Sequence, residues 1–381
     1  MQSYRDWNEY ADMLADAFVT RGLGRDDVVA VRCRNRLEWA VIALACAKID
    51  ARLLTLDADL PPPAIRDRLI AGRAAALIAG DVAPIRLSQA VEGLPLRLKA
   101  SMDGAVGGFY NFWDLFPPVA PPRFGSAQPV LMGWTARAEG RAAPVGLPRR
   151  RAAPASLSRP PVPEVGVSLI TLPLHRVWAP VQFWTALIAG RAIALMREFS
   201  PAAALDVIEK RRVTHWTALP EMFAELQAFG IDIERRYAMR SIRELVMGGA
   251  AAPETLRRWL AETFPTILCE AYGSPETGLI AWMAPQQRTS RPDSCGRALR
   301  GVSVEVRDLD GRRLPIGAIG QIWARTQRSI ECELPGAGNN DRRDADGFVA
   351  TGDAGRIDED GYIYLTGRAS MLAETDFRRA G

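Results

Sequence analysis

The residues best suited to chemistry stand together in Glu270-Ala-Tyr-Gly-Ser-Pro-Glu-Thr-Gly278. They follow an apolar run, Pro265-Thr-Ile-Leu-Cys269, that reads as a short buried strand. Tyr272 can stack on a base, Gly273 lets backbone approach a ligand, and the lone carboxylate of Glu276 can hold Mg²⁺ through oxygen. Ligands of open α/β sheets sit at strand ends of this kind. A plain strand and turn would read the same way, so the segment needs company elsewhere in the chain.

That company comes from separate stretches. Val167-Ser-Leu-Ile-Thr171 reads as a strand ending in Leu172-Pro-Leu-His-Arg-Val-Trp178, where His175 is one of the chain's two histidines. A polar cap on a strand end is its plain alternative. Val213-Thr-His-Trp-Thr-Ala-Leu-Pro220 is another strand, with His215 and Trp216 on opposite sides; core packing is the plain alternative for Trp216. Ser241 to Val246 is a further strand, continued by Met247-Gly-Gly-Ala250. Two glycines there let a planar ring lie against the backbone. Lastly, Gly347-Phe-Val-Ala-Thr-Gly-Asp353 is followed by Asp358 to Arg368. A carboxylate such as Asp353 suits a vicinal diol, because it can accept two hydrogen bonds from it.

Strands and helices must hold these residues in place. Ser3 and Asp6 form a capping-box-like pair ahead of Trp7, Tyr10, Leu14 and Phe18 at helical spacing. Val28–Val31, Leu53–Leu56 and Ala74–Ile78 read as strands, separated by a helix from Leu37 to Ile49 and one opened by Pro61-Pro-Pro63. The Leu37–Ile49 helix is apolar nearly all round and so belongs inside. This βαβ alternation argues for parallel sheets covered on both faces. Beyond residue 300 the pattern changes to short strands split by turns such as Asp310-Gly311 and Asp360-Gly361, which predicts a small antiparallel, barrel-like subdomain. The expected fold is therefore α/β, with two parallel-rich αβ-layered subdomains and a small β subdomain.

Taken together, these stretches resemble the adenylate-forming (AMP-binding) superfamily of acyl- and aryl-CoA ligases, nonribosomal-peptide adenylation domains and luciferases. Glu270–Gly278 is similar to its Tyr-Gly-x-Thr-Glu signature, and Gly347–Asp353 through Arg368 matches most closely of all. The resemblance covers about residues 3 to 368. It implies catalytic roles for Glu276, which also binds the metal, and for His175 beside the carboxylate. It implies a nucleotide site of Gly248, Gly249, Ala250, Glu270, Ala271, Tyr272, Gly273, Asp353 and Arg368, with Asp353 on both ribose hydroxyls. Trp178, His215, Trp216 and Met247 fall where an acyl pocket would lie. The implied cofactors and substrates are Mg²⁺, ATP or AMP, a small carboxylate, and CoA or an acyl carrier protein.

One place departs from the pattern. The family's phosphate loop, Tyr-Thr-Ser-Gly-Thr-Thr-Gly-x-Pro-Lys-Gly, is met here by Trp134-Thr-Ala-Arg-Ala-Glu-Gly-Arg-Ala-Ala-Pro144. Thr135 and Gly140 keep the frame; Ala136, Arg137, Ala138, Glu139 and Ala143 replace hydroxyls, a glycine and the lysine. Such loops work through backbone N–H groups, hydroxyl donors and a neutralising lysine. One unit charge about 4 Å from a phosphate charge is worth roughly 4 kcal/mol at an effective dielectric near 20, on the order of a thousandfold in affinity. Arg137 and Arg141 are the cations able to compensate. Pro275, in place of a threonine, removes a further phosphate donor.

The whole chain narrows the classes. With 381 residues, 48% hydrophobic and 24% charged, it is a globular protein of two or three subdomains. The expected division is 1–165, including a flexible loop at 142–164; 166–300, with the nucleotide and acyl sites; 301–368, the small β subdomain; and 369–381, a tail where the family's C-terminal domain would begin. A net charge of +4 is small for this length and does not support a strong polyanion binder; the Arg149–Arg151 tract reads as a solvated loop, with contact to nucleic acid or an acidic partner as its alternative. Cys33, Cys46, Cys269, Cys295 and Cys332 show no metal or redox spacing, which favours a reduced cytoplasm. No signal peptide follows Met1, and the Trp39–Ala47 apolar run is too short for a membrane span. The functional expectation is an ATP-dependent acyl- or aryl-carboxylate ligase that is impaired or depends on a partner bearing the C-terminal domain. The alternative is a degenerate relative that binds AMP, an acyl-adenylate or an acyl ligand as an accessory module.

Overall fold

The computed structural model describes residues 3–81, 84–105, 107–116, 130–136, 142–146, 165–176, 178–230, 239–274, 277–326 and 343–372. The first sheet contains β1 (Val28–Arg32), β2 (Arg52–Leu56), β3 (Ala74–Ala79), β4 (Leu98–Ser101), β5 (Tyr110–Asn111), β6 (Val130–Ala136) and β7 (Ala142–Gly146). Their order is β5-β4-β3-β1-β2-β6-β7. All neighbours pair in parallel except the edge hairpin β6–β7. Every residue of β1 is buried, as a parallel strand covered on both faces requires. The flexible loop expected to begin at 142 meets a strand there instead: Ala142–Gly146 pairs with β6. Ladder hydrogen bonds prevail there over a composition that looked too plain for a strand; residues 147–164 lie outside the described residues.

The helices follow their sequence signals. Ser3 caps the helix Tyr4–Thr20: its Oγ accepts from the Asp6 N–H at 3.2 Å, and the Ser3 N–H donates to Asp6 Oδ2 at 2.8 Å. The helix Leu37–Lys48 is buried along nearly all of Trp39–Ala47. Trp39 and Trp7 both pack on Phe183 of the helix Trp178–Ile188, with ring centroids 5.4 and 5.7 Å apart. Burying a side chain such as Phe183 is worth about 1.5–3 kcal/mol, and these contacts join the first sheet's helices to the second sheet's in one core.

The second sheet contains β8 (Val167–Ile170), β9 (Ala192–Leu195), β10 (His215–Ala218), β11 (Glu244–Gly248), β12 (Leu268–Ser274), β13 (Gly278–Met283), β14 (Gly296–Ala298), β15 (Ser303–Arg307), β16 (Gly320–Arg325), β17 (Val349–Ile357) and β18 (Tyr362–Arg368). The strand order is β15-β16-β17-β18-β14-β13-β12-β11-β10-β8-β9. The run from β9 to β12 is parallel and the rest antiparallel. The barrel-like subdomain expected beyond residue 300 is thus an extension of this sheet, and no closed barrel forms among the described residues. The link is short: Gly296 pairs with Ile363 and Arg297 with Tyr362, so β14 ties the late hairpins to β13. Among the described residues no helix is long and apolar enough to cross a membrane. Cys33, Cys46, Cys269 and Cys295 are buried, and burial pushes the thiol of Cys33 up to about 12.

Candidate nucleotide and acyl site

Adjacent strand ends bring the predicted segments together. Gly248, the last residue of β11, pairs with Ala271 on β12, one residue before Tyr272. A Cβ at Gly248 would meet the Ala271 carbonyl at 2.7 Å and the edge of the Trp178 indole at 3.2 Å, so this approach requires glycine. Gly249 follows at φ +85, where glycine avoids the strain of other residues, and both it and Ala250 are exposed. Tyr272 then reaches across to β17: its hydroxyl lies 3.0 Å from Asp353 Oδ2 and 3.2 Å from Thr351 Oγ1. Asp353 stands opposite Arg368 in the β17–β18 ladder, and Arg368 Nη1 donates to Asp353 Oδ1 at 2.7 Å. Gly352, at φ +80, leaves room for that guanidinium, since a Cβ there would come 3.0 Å from Arg368 Nη2.

The stacking role expected of Tyr272 meets a covered ring. Tyr272 is only 7% exposed and packs in a small core with Ile280, Val306, Ile322 and Ile363. What it presents to Asp353 is its hydroxyl. Burial first, and then the Asp353 charge, hold the phenol well above its ordinary pKa, so it remains a donor. Glu270 also differs from expectation. Its carboxylate is 5% exposed and is taken up by Arg257 at 2.8 Å and Arg288 at 3.0 Å. Strand alternation explains this: Glu270 points toward the helix Glu254–Thr263, away from the face that carries Ala271.

The same alternation sorts the acyl-pocket residues. Val246, Cys269 and Ala271 share a face with Trp178, Leu279 and Trp282. Met247 points to the opposite face and is 1% exposed in the main core. Trp216 is likewise 1% exposed, donates its indole N–H to Thr171 Oγ1 at 3.1 Å and packs on Phe223. His215 is buried at 5%, with Nδ1 2.7 Å from Thr214 Oγ1. Both sides of β10 and β11 are covered in a parallel sheet, so His215, Trp216 and Met247 are interior residues of this structure. Trp178 keeps its place at the edge of Gly248. Trp282 and Leu279 were missed: three residues apart on β13, they reach one face only through the register shift between Tyr272 and Gly273, which strand alternation does not reveal.

His175 stands three residues before Trp178, where the segment after β8 meets the end of β2. Its carbonyl accepts from Thr55 Oγ1 at 3.4 Å, and its Nε2 lies 3.4 Å from Asp57 Oδ2. Burial lowers its pKa below the ordinary 6.5, against the raising pull of Asp57. The folded chain therefore favours the neutral ring, and the unfolded chain takes up the proton first. Stability from this group is complete above the unfolded value and is lost as pH falls through the folded one. Urea unfolding between about pH 8 and pH 5 is expected to show that loss, with a shallower pH slope in His175→Gln; equal slopes would exclude it.

Thr135 lies on β6 opposite Ala143 in the β6–β7 hairpin. Arg137 and Gly140, between those strands, and Glu276, after β12, lie outside the described residues. Among the described residues no group of three or more His, Cys, Asp or Glu side chains gathers as a metal site.

The chain is similar to 4-coumarate–CoA ligase 1 of Oryza sativa subsp. japonica, 26% identical over 97% of this chain and 70% of the relative. It is also similar to the fatty acid–[acyl-carrier-protein] ligase ScoC of Streptomyces coeruleorubidus, 27% identical over 96% of this chain and 72% of that one. Its fold matches that of the amide bond synthetase McbA from Marinactinospora thermotolerans with a TM-score of 0.84, at 24% identity over 97% of this chain and 75% of McbA. The model of the AMP-binding enzyme family matches residues 1–331, and the chain belongs to that family.

Proposed function

We propose that the chain activates a carboxylic acid with ATP, giving an acyl-adenylate and pyrophosphate, and passes the acyl group to the thiol of CoA or a carrier protein, forming a thioester and releasing AMP. The observation that carries this reading is the Tyr272–Asp353–Arg368 set of hydrogen bonds one residue beyond the Gly248–Ala271 strand-end pair, in a member of the AMP-binding family. In this reading Asp353 accepts both ribose hydroxyls and Arg368 stands beside the ribose or the α-phosphate. The nucleoside lies along Gly248–Ala250, and the acyl group lies against Trp178. His175 sits next to the reacting carboxylate, where a neutral imidazole adds no competing charge. Catalysis is positioning together with stabilisation of charge at the phosphoryl centre. Mg²⁺, with Glu276 as its proposed ligand, supplies charge neutralisation at the phosphates when bound.

Related names support the substrate class as an acyl or aryl acid, since the similar proteins include a coumarate–CoA ligase and a fatty acid–carrier-protein ligase. Within the class, Trp178 is the residue that sets pocket depth. Trp178→Ala is expected to shift the preference toward longer or bulkier acids by about tenfold to a hundredfold, the usual worth of a few methylenes in an apolar pocket. Competition between paired acids measures it, and an unchanged ratio would place the acyl group elsewhere.

A second reading is favoured by one specific feature, the run Ala136, Arg137, Ala138, Glu139 and Ala143 in the phosphate loop. It is a binding module for AMP, an acyl-adenylate or an acyl ligand that does not turn over ATP. Acid-dependent exchange of labelled pyrophosphate into ATP decides between the two. Exchange that disappears in Asp353→Ala supports the ligase; AMP binding without exchange over a broad acid panel supports the module.

A further inference from the structure

Around Asp353 two of the four acceptor positions of the carboxylate are taken, and the count shows which groups hold it. Thr351 has one hydroxyl proton, and it donates to the Ile322 carbonyl at 2.9 Å. Thr351 Oγ1 therefore acts only as an acceptor, for the Asp353 N–H at 3.1 Å and on the side facing Tyr272. The single Tyr272 proton is left with two acceptors, Thr351 at 3.2 Å and the Asp353 carboxylate at 3.0 Å. The charged acceptor is both closer and stronger. On the other side Arg368 donates to the remaining oxygen, Oδ1. Each carboxylate oxygen can accept two hydrogen bonds, so one lone pair on each stays open, side by side. Two adjacent open acceptors match two vicinal hydroxyls.

We propose that the Tyr272 hydroxyl is a positioning group that orients the Asp353 carboxylate, so that its two open lone pairs select a cis-diol. This rests on the adenylate reading above and assigns to Tyr272 a role through its oxygen, since its ring face is covered by the small core. Arg368 is the weaker restraint: its side chain is 47% exposed, and pairs so open to water contribute little. Tyr272, at 7% exposure, holds its oxygen with a rigid, packed ring.

The test compares binding of AMP and 2′,3′-dideoxy-AMP to the whole chain and to Tyr272→Phe, by calorimetry. The substitution removes one oxygen and keeps the ring that fills the core. In the unaltered chain AMP is expected to bind more tightly than the dideoxy analogue. In Tyr272→Phe the AMP affinity falls about tenfold, the usual worth of a hydrogen bond to a charged group, while the dideoxy analogue is unaffected. Thr351→Val removes only the neutral competitor for the Tyr272 proton and provides a second variant should the first not fold: the preference for AMP over the dideoxy analogue is expected to persist in it, and its loss there would mean that Thr351 and not Tyr272 holds the carboxylate. Equal weakening of both ligands in Tyr272→Phe would reveal a merely structural tyrosine, and an unchanged preference would also overturn the inference while leaving the adenylate reading intact. No AMP binding by the unaltered chain overturns both.

Discussion

Glu270→Ala is expected to lower folding stability by about 3–5 kcal/mol, the cost of stranding buried cations without their counter-ion. The carboxylate is the shared partner of Arg257 and Arg288, whose side chains are 11% and 5% exposed. Arg288 has little else to fall back on, because its Nε and Nη1 meet no protein acceptor among the described residues. Arg257 keeps one further contact, its Nη1 donating to the Asp293 carbonyl at 3.1 Å. Domains have roughly 5–15 kcal/mol of stability in all, so the variant should unfold at a much lower urea concentration. Replacing Arg288 as well, in Glu270→Leu with Arg288→Met, should recover part of the loss, since an apolar pair leaves one fewer charge unpaired. A loss under about 1 kcal/mol in Glu270→Ala would mean that water reaches both guanidinium groups.

The second large effect lies in the phosphate loop. Glu139→Thr combined with Ala143→Lys removes an anion and restores a cation. At about 4 kcal/mol for one unit charge near a phosphate, the pair is expected to tighten ATP binding by at least about a hundredfold. AMP is the control, since it lacks the outer phosphates and its affinity should change far less. Pyrophosphate exchange should rise with ATP affinity if the adenosine side of the site is already in order. Unchanged ATP affinity would mean that Arg137 and Arg141 already serve in place of the lysine. Alanine at both positions in the unaltered chain would then abolish ATP binding.

Much of the architecture was legible because it repeats a simple period. Apolar runs such as Val28–Val31 and the all-round apolar helix at Leu37 declare burial on both faces, and the capping box at Ser3 marks a helix start. Less was legible where an element is short or amphipathic without a marker. The helix Pro220–Phe229 and strand β4 carry no such marker, and Ala142–Gly146 reads as a loop because hairpin partners leave no composition signal. The late hairpins looked like a unit of their own, because local pairing does not reveal which strand the outermost one will join.

The candidate site divides in the same way. Residue types and order alone pointed to the segments proposed to supply it: the glycines at the end of β11, the tyrosine on β12, and the Thr-Gly-Asp and terminal arginine of β17 and β18. Only the tertiary structure decided which side chains of those segments face one another. A shift of one residue along a strand reverses the side on which a group lies, and this separates Gly248 from Met247 and Ala271 from Glu270. Whether a carboxylate is free for a ligand or already spent on arginines depends on a helix contributed from elsewhere in the chain, and no spacing within the strand encodes that.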